Sequence, residues 1–512
     1  VIATRARTRI AALVIVAVAW IVHGRSIAFD YTYLDDRDLL VDDRAFLARP
    51  SNLLAAFGRA YMHVVDRGHA YYRPLVTASY GLDAQWSGVR PFGYHITNVA
   101  LHGVASVLFF AVLRRTGFAA IVALGAALVF AVHPTLAAAV AWIPGRNDSL
   151  LAVFALAAWL FFLRDRDHAS LADRALHFVS FAMALLTKET AFVLPMVWGA
   201  HVVLVERAAR PSRARGPLTP YVVGWAAVVA ARVVVHAPFS WGPGAAAGAR
   251  AGVGMNGLSE SLPILVTGLG KVVLPFNPSA MAVREDLPLW PGLLALTVIA
   301  LGAWRLPGVR RRVVAFGAVA FVLLLGPVLA MPGTLILDSR LYLPACGVLL
   351  AGAEIARATS FERAGAPVER RLLLAMTAVA TVVLGVVTMA YEASYRDRRA
   401  FAREAVASSP HSALAHFCLG QTCQIDGDAD RALAEYGASL ALAPGEVVHN
   451  NIAVIHMSRA RWSEAEGELR DELAINPGYA RAYENLAIVL HHEGREAEAQ
   501  TAREKALGLE ME

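Results

Sequence analysis

The stretch "IAALVIVAVAWIVHGRSIAFDYTYLDDRDLLVDD", residues 10–43, decides the fold class. Its first half is apolar from Ile10 to Val22 and predicts a membrane-crossing helix near 10–28, since hydrocarbon takes about 20 apolar residues to cross. Its second half carries six aspartates between residues 29 and 43, with Asp35 and Asp36 adjacent. A carboxylate pair therefore stands just outside a membrane helix.

The whole chain repeats that theme. Its 512 residues are 57% hydrophobic and only 17% charged, with a mean hydropathy of +0.49, which excludes an ordinary soluble globular protein. The formal charge of +6 comes from arginines gathered in short loops between apolar runs, as membrane topology places them, so no nucleic-acid partner is implied. Cys346, Cys418 and Cys423 read as structural thiols: a spacing of five on one helix separates Cα atoms by about 8 Å, too far for a disulfide.

Eleven transmembrane helices are expected, near 10–28, 96–113, 117–133, 149–163, 172–187, 190–206, 218–236, 288–304, 313–331, 341–356 and 371–390. The first is read as an uncleaved anchor, because "WIVHGRSIAF" offers no small-x-small cleavage site. Arg5, Arg7 and Arg9 precede it and Arg114 and Arg115 follow the second helix, which puts the N-terminus in the cytoplasm. Arg164 and Arg166, then Arg207, Arg210, Arg213 and Arg215, then Arg305 and Arg310 to Arg312, then Arg357, Arg363, Arg370 and Arg371 fall on that same side, provided 257–287 is re-entrant or interfacial. The loops at 29–95 and 332–340 then lie outside, with the C-terminal region.

After residue 391 the composition turns soluble. Pro410, Pro444 and Pro477 recur at the period of tetratricopeptide repeats, predicting three of them at 413–445, 446–479 and 480–512. Gly420, Ala453 and Ala487 are the small residues that let paired helices approach. The expected organisation is all-α: a membrane domain at 1–391 and an extracytoplasmic α-solenoid at 400–512.

Candidate chemistry gathers on the outer side. Adjacent acids such as Asp35 and Asp36 suit a general base, one accepting a proton while the other perturbs or orients it, though a solvated charge run has the same composition. They are also acceptable oxygen ligands for a divalent cation, although no metal is required. "YHITNVALH" sets His95, Asn98 and His102 along one helix face, and "FAVHP" puts His133 at a helix end. Taken singly, each histidine reads as a structural residue. Arg146 and Asp148, Lys188 and Glu189, and Asp338 and Arg340 are charges close to hydrocarbon; cations gathered there suggest an anionic ligand, or else snorkelling and local pairing of Lys188 with Glu189.

In order, "YLDDRDLL", "YYRPLVTASYGLDAQW", "PFGYHITNVALH", "HPTLAAAVAWIPGRNDSLLA", "LTKETAFVLP", "VLPFNPS" and "DSRLYLPACG", followed by the repeats, resemble the transmembrane and tetratricopeptide-repeat O-mannosyltransferases and their bacterial relatives. The resemblance implies a GT-C glycosyltransferase fold, a polyprenyl-phosphate sugar donor, transfer to a hydroxyl with inversion on the extracytoplasmic face, and a bacterial inner-membrane location. It puts the family's acidic pair on Asp35 and Asp36. It leaves the donor phosphate to Arg73, Arg146, Lys188 and Arg340, and the repeats to a protein acceptor or partner. A surface-polysaccharide polymerase or ligase, and a non-enzymatic membrane scaffold, are the alternative classes.

Overall fold

The computed structural model describes residues 2–32, 34–61, 71–206, 217–240, 258–275, 278–329, 337–359, 367–445 and 447–511. Among the described residues the chain is helical, with one isolated backbone bridge between Tyr61 and Tyr71. It divides into two compact units, Val1–Pro278 with Leu287–Asp397, and Ser279–Asp286 with Arg398–Glu512. Arg207, Arg210, Arg213, Arg215 and Arg363, used above to read orientation, lie outside the described residues.

The first unit is a multi-pass membrane bundle. Its long helices are α1 (Ile2–His23), α2 (Pro74–Ser87), α3 (Pro91–Arg115), α4 (Ala120–Ala131), α5 (Arg146–His168), α6 (Leu171–Leu185), α7 (Leu194–His201), α8 (Thr219–Ser240), α9 (Leu258–Val273), α10 (Trp290–Arg305), α11 (Arg311–Leu329), α12 (Pro344–Ala358) and α13 (Pro367–Glu392). Seven helical stretches among the described residues are long and apolar enough to cross a bilayer. The segment Ala120–Ala131 with Pro134–Ala141 makes an eighth only as a broken span bent by 52°. The remaining expected spans are the shorter α6, α10 and α12. Proline opens α2, α3, α10 and α12 within the first turn, where its missing N–H would have no partner anyway. Helices α11 and α12 cross at Gly317 and Gly347, where a Cβ on either would lie about 2.5 Å from the other's carbonyl oxygen. Only glycine permits that approach.

The break after α4 explains several polar residues inside the bundle. A helix that stops in hydrocarbon leaves carbonyl oxygens that water cannot reach. His23 and His102 both direct Nε2 at the Ala131 carbonyl, each at 3.0 Å, and the Thr388 hydroxyl donates to the Val132 carbonyl at 2.6 Å. The broken segment returns the service to α9: His133 donates to the Val272 carbonyl at 2.8 Å and Thr135 to the Lys271 carbonyl at 2.7 Å. Helix α9 spans 16 residues, roughly 24 Å at the α-helical rise. Gly257, Phe276 and Asn277 of the expected re-entrant segment lie outside the described residues.

The second unit is a tetratricopeptide-like solenoid of paired helices. After α14 (Arg398–Ser408) come α15 (Ala413–Ile425) with α16 (Ala429–Leu442), α17 (Val448–Ser458) with α18 (Trp462–Ile475), and α19 (Ala480–His492) with α20 (Glu496–Met511). Each pair turns through one left-handed residue at matching positions: Gly427 (φ 84°), Ala460 (φ 55°) and Gly494 (φ 76°). Gly420, Ala453 and Ala487 are all at helix contacts; a Cβ on Gly420 would come within 2.6 Å of Tyr436. Glu472 lies fully buried and its carboxylate accepts from the Val447 and Asn450 amides at 2.7 and 3.2 Å, capping the start of α17. The short segment Ser279–Asp286 joins this unit, with Asp286 Oδ1 2.6 Å from His411 Nδ1.

Candidate functional site

The first loop leaves α1 through the short turn Gly24–Ala28 and re-enters a helical turn at Asp35. The two adjacent aspartates then separate. Asp36 is buried, and its Oδ2 accepts the Thr32 backbone N–H at 2.8 Å and the Thr32 hydroxyl. It closes the 32–36 turn as a helix-start cap would. Asp35 is half-buried and takes part in no hydrogen bond or ion pair among the described residues, so its carboxylate is available.

Two cations, Arg73 and Arg340, lie within electrostatic reach of that carboxylate. Burial, reinforced by the nearby Asp38, pushes the Asp35 carboxyl up to about 6, while Arg73 and Arg340 pull the other way. Arg73 stands immediately before Pro74 at the start of α2. Its Nε and Nη2 converge on Glu189 Oε2 at 3.1 and 2.8 Å, with the guanidinium 4.7 Å from the Tyr71 ring centre and 5.3 Å from that of Tyr61. Burial works against its charge, but Glu189 outweighs burial and holds it above the usual arginine value. Lys188, in the turn after α6, is lowered by burial; Asp148 opposes this, and the neighbouring cations Arg73 and Arg340 add to it. Its Nζ meets Asp148 Oδ1 at 2.6 Å. Arg340, in the turn Asp338–Leu341, is lowered by burial and lies within electrostatic reach of Asp148, Tyr71, Arg73 and Asp35. Asp35, Arg73, Lys188, Glu189 and Arg340, with Asp148, therefore form one charge cluster drawn from five chain segments.

Other expected site residues do not join it. Arg146 is fully buried and spends its guanidinium internally: Asp83 Oδ2 at 2.6 Å, Asn98 Oδ1 at 2.8 Å, the Tyr94 carbonyl at 2.8 Å and the Ser79 hydroxyl at 3.2 Å, beneath the Tyr80 ring. It ties α2, α3 and α5 together instead of facing an anion. His102 accepts from or donates to the Tyr342 hydroxyl at 2.6 Å and serves the Ala131 carbonyl, and His133 serves Val272. Both satisfy the broken backbone. His95 is buried against Phe29, and neither ring nitrogen has a hydrogen-bond partner among the described residues.

Of the remaining loop acids, Asp42 pairs with Arg37 at 3.3 Å and Asp43 with Arg59 at 3.1 Å. Sequence reading missed the aromatic pair Tyr61 and Tyr71 that flanks Arg73, because the bridge joining them is a tertiary feature. Asp148 was visible as a charge at the outer start of a long apolar helix, but not as the partner of Lys188, for which Glu189 was the local alternative. Among the described residues no group of three or more His, Cys, Asp or Glu side chains is arranged to hold a metal ion.

Chemically, the cluster offers a half-buried carboxylate, raised towards 6 by burial, within reach of the half-buried cations Arg73 and Arg340, with Lys188 in the same charge network. That suits removal of a proton next to a departing anion.

No family model matches the chain. Among curated proteins, it is 33% identical over 189 residues to the protein O-mannosyl-transferase Tmtc1 of Drosophila melanogaster, covering 37% of this chain and 22% of that one. It is 38% identical over 106 residues to the protein O-mannosyl-transferase TMTC3 of Mus musculus, covering 20% and 11%. It is also 32% identical over 171 residues to the protein O-mannosyl-transferase TMTC4 of Homo sapiens, covering 29% and 22%. The chain thus spans less than a quarter of the length of each of these relatives. A crystal structure of MamA aligns at 19% identity over 31% of this chain and 87% of that one with a TM-score of 0.21, too low to bear on the fold. Over the matched segments the chain is similar to these protein O-mannosyl-transferases.

Proposed function

We propose that this protein is an inverting membrane glycosyltransferase that moves mannose from a polyprenyl-phosphate carrier to a serine or threonine hydroxyl of a protein on the extracytoplasmic face of a bacterial inner membrane. The observation that carries the reading is the Asp35 carboxylate, without a hydrogen-bond partner among the described residues, within the field of Arg73 and Arg340. The homologues' names point to the same chemistry.

In this reaction Asp35 takes the proton of the acceptor hydroxyl as its oxygen attacks the anomeric carbon. The bond from that carbon to the phosphate oxygen breaks on the opposite face, and the electron pair leaves with the phosphate. Arg73, Lys188 and Arg340 stabilise the charge that collects there. Glu189 and Asp148 hold two of these cations in place in the meantime, so little reorganisation is needed when the lipid phosphate arrives. No step calls for a metal. The solenoid presents the acceptor protein or the partner that brings it.

The test is transfer by the purified full chain in lipid nanodiscs, supplied with polyprenyl-phosphate mannose and an unstructured serine- and threonine-rich peptide. Asp35→Asn is expected to retain donor binding and lose turnover. Wild-type turnover in that variant would overturn the assigned base.

A further inference from the structure

Arg340 enters the charge cluster from a turn that is gripped on both sides. Two residues before it, Asp338 Oδ1 receives Lys271 Nζ at 2.6 Å, with both side chains buried. Two residues after it, the Tyr342 hydroxyl lies 2.6 Å from His102 Nδ1. Lys271 sits in the last turn of α9, whose terminal carbonyls are held by Thr135 and His133 from the break after α4.

A buried ion pair is a poor device for stability, because removing two charges from water costs about as much as their attraction returns. What such a pair supplies is direction: one lysine nitrogen meeting one carboxylate oxygen fixes the register of the turn that carries it. The turn Asp338–Leu341 is a single four-residue 3-10 turn, too short to fix the direction of Arg340 by its own backbone bonds. Side-chain ties on either side of it add to those bonds in setting its register.

We infer that the Lys271–Asp338 pair is a positioning clamp that sets Arg340 beside Asp35, coupling the seat of α9 to the geometry of the anion site. This rests on the reading of Arg340 as a cation for the donor phosphate. Lys271 and Asp338 touch neither donor nor acceptor; they act through Arg340. Broken, the clamp lets the turn that carries Arg340 shift, so the donor phosphate loses a well-placed cation and Asp35 loses a neighbour that favours its ionised form.

The experiment measures the rate at which phenylglyoxal modifies Arg340 in the full chain in nanodiscs, read by peptide mass spectrometry, alongside sugar transfer. The variants are Asp338→Asn, the apolar pair Lys271→Met with Asp338→Leu, which keeps the packing, and the exchange Lys271→Asp with Asp338→Lys. Asp338→Asn and the apolar pair should speed modification several-fold, raise the donor KM about tenfold with a smaller change in kcat, and move the acid limb of kcat/KM to higher pH. The exchanged pair should restore all three.

Modification of Arg340 at the wild-type rate in both clamp-less variants would overturn the clamp. If the wild-type protein transfers no sugar from a polyprenyl-phosphate donor, the proposed function fails, and the modification rates still decide the clamp. If transfer is seen and the variants match wild type in modification and KM, the clamp fails alone.

Discussion

Lys188 Nζ meets Asp148 Oδ1 at 2.6 Å across 40 residues of sequence, while the adjacent Glu189 turns to Arg73. Neighbours that could have neutralised each other locally are instead crossed with partners from α5 and the start of α2. The crossing draws α2, α5 and the turn after α6 together around the charge cluster.

Asp35 and Asp36 should separate under mutation. Asp35→Asn removes the base and is expected to lower kcat by about 10²- to 10⁴-fold. Asp36→Asn keeps an oxygen that can accept from Thr32, so it should cost no more than about 1 kcal/mol of stability and leave most of the turnover. Thermal unfolding and initial rates, measured on both variants, check this; equal losses of turnover would refute the division of roles.

The pH profile follows from the same carboxylate. Turnover needs ionised Asp35, so kcat/KM should climb as pH rises through about 6. Arg340→Gln removes a cation that favours ionisation and should shift this limb upward. A limb at the ordinary aspartate position, unmoved by Arg340→Gln, would show that another group controls the rate.

Stability moves in the opposite sense. The folded-state value of Asp35 lies above that of the unfolded chain, so folding favours the neutral form. Its contribution is complete below about pH 4 and is lost as pH rises through about 6. Asp35→Asn should therefore be more stable than wild type at pH 7, by about 1–2 kcal/mol after allowance for partial exposure, and equal to it at pH 4. Chemical denaturation at the two pH values reads the difference.

Arg146 should behave as a strut. Arg146→Met leaves Asp83 buried without its partner and is expected to cost about 3–5 kcal/mol, seen as loss of folded protein in detergent. Arg73→Lys should fold normally and raise the donor KM. A folded Arg146→Met protein with a selective KM defect would return Arg146 to the anion site.

In the solenoid, Ala460 occupies the left-handed turn position that glycine fills in the other two repeats. Ala460→Gly should raise stability by about 1 kcal/mol, because it relieves the Cβ contact that L-residues suffer there. Gly420→Ala should lower it by about 1–3 kcal/mol through the clash with Tyr436. Thermal melts of the two variants test both signs.

The bundle and the solenoid were legible because their signals are local. Apolar runs report burial in lipid residue by residue, and the proline spacing of the repeats is a pattern along the chain. Lys188 and Arg340 stood out as charges close to hydrocarbon, open to an anionic ligand or to local pairing alike, whereas Asp35, Asp36 and Arg73 were singled out for the site only by the family resemblance. His102 and His133 were not legible as backbone caps, since nothing in "FAVHP" announces that the next helix in space needs a donor at Val272.

By itself, the sequence determined that this chain crosses a membrane repeatedly, ends in paired-helix repeats and carries an acidic pair beside its first helix. Tertiary structure alone decided that Asp36 closes a turn while Asp35 stays available, that Arg146 is spent inside the fold, and that Arg73 meets Glu189 across 116 residues. The physical reason is range. Hydrophobic periodicity is written into neighbouring residues, whereas a charge finds its partner only after distant helices have packed.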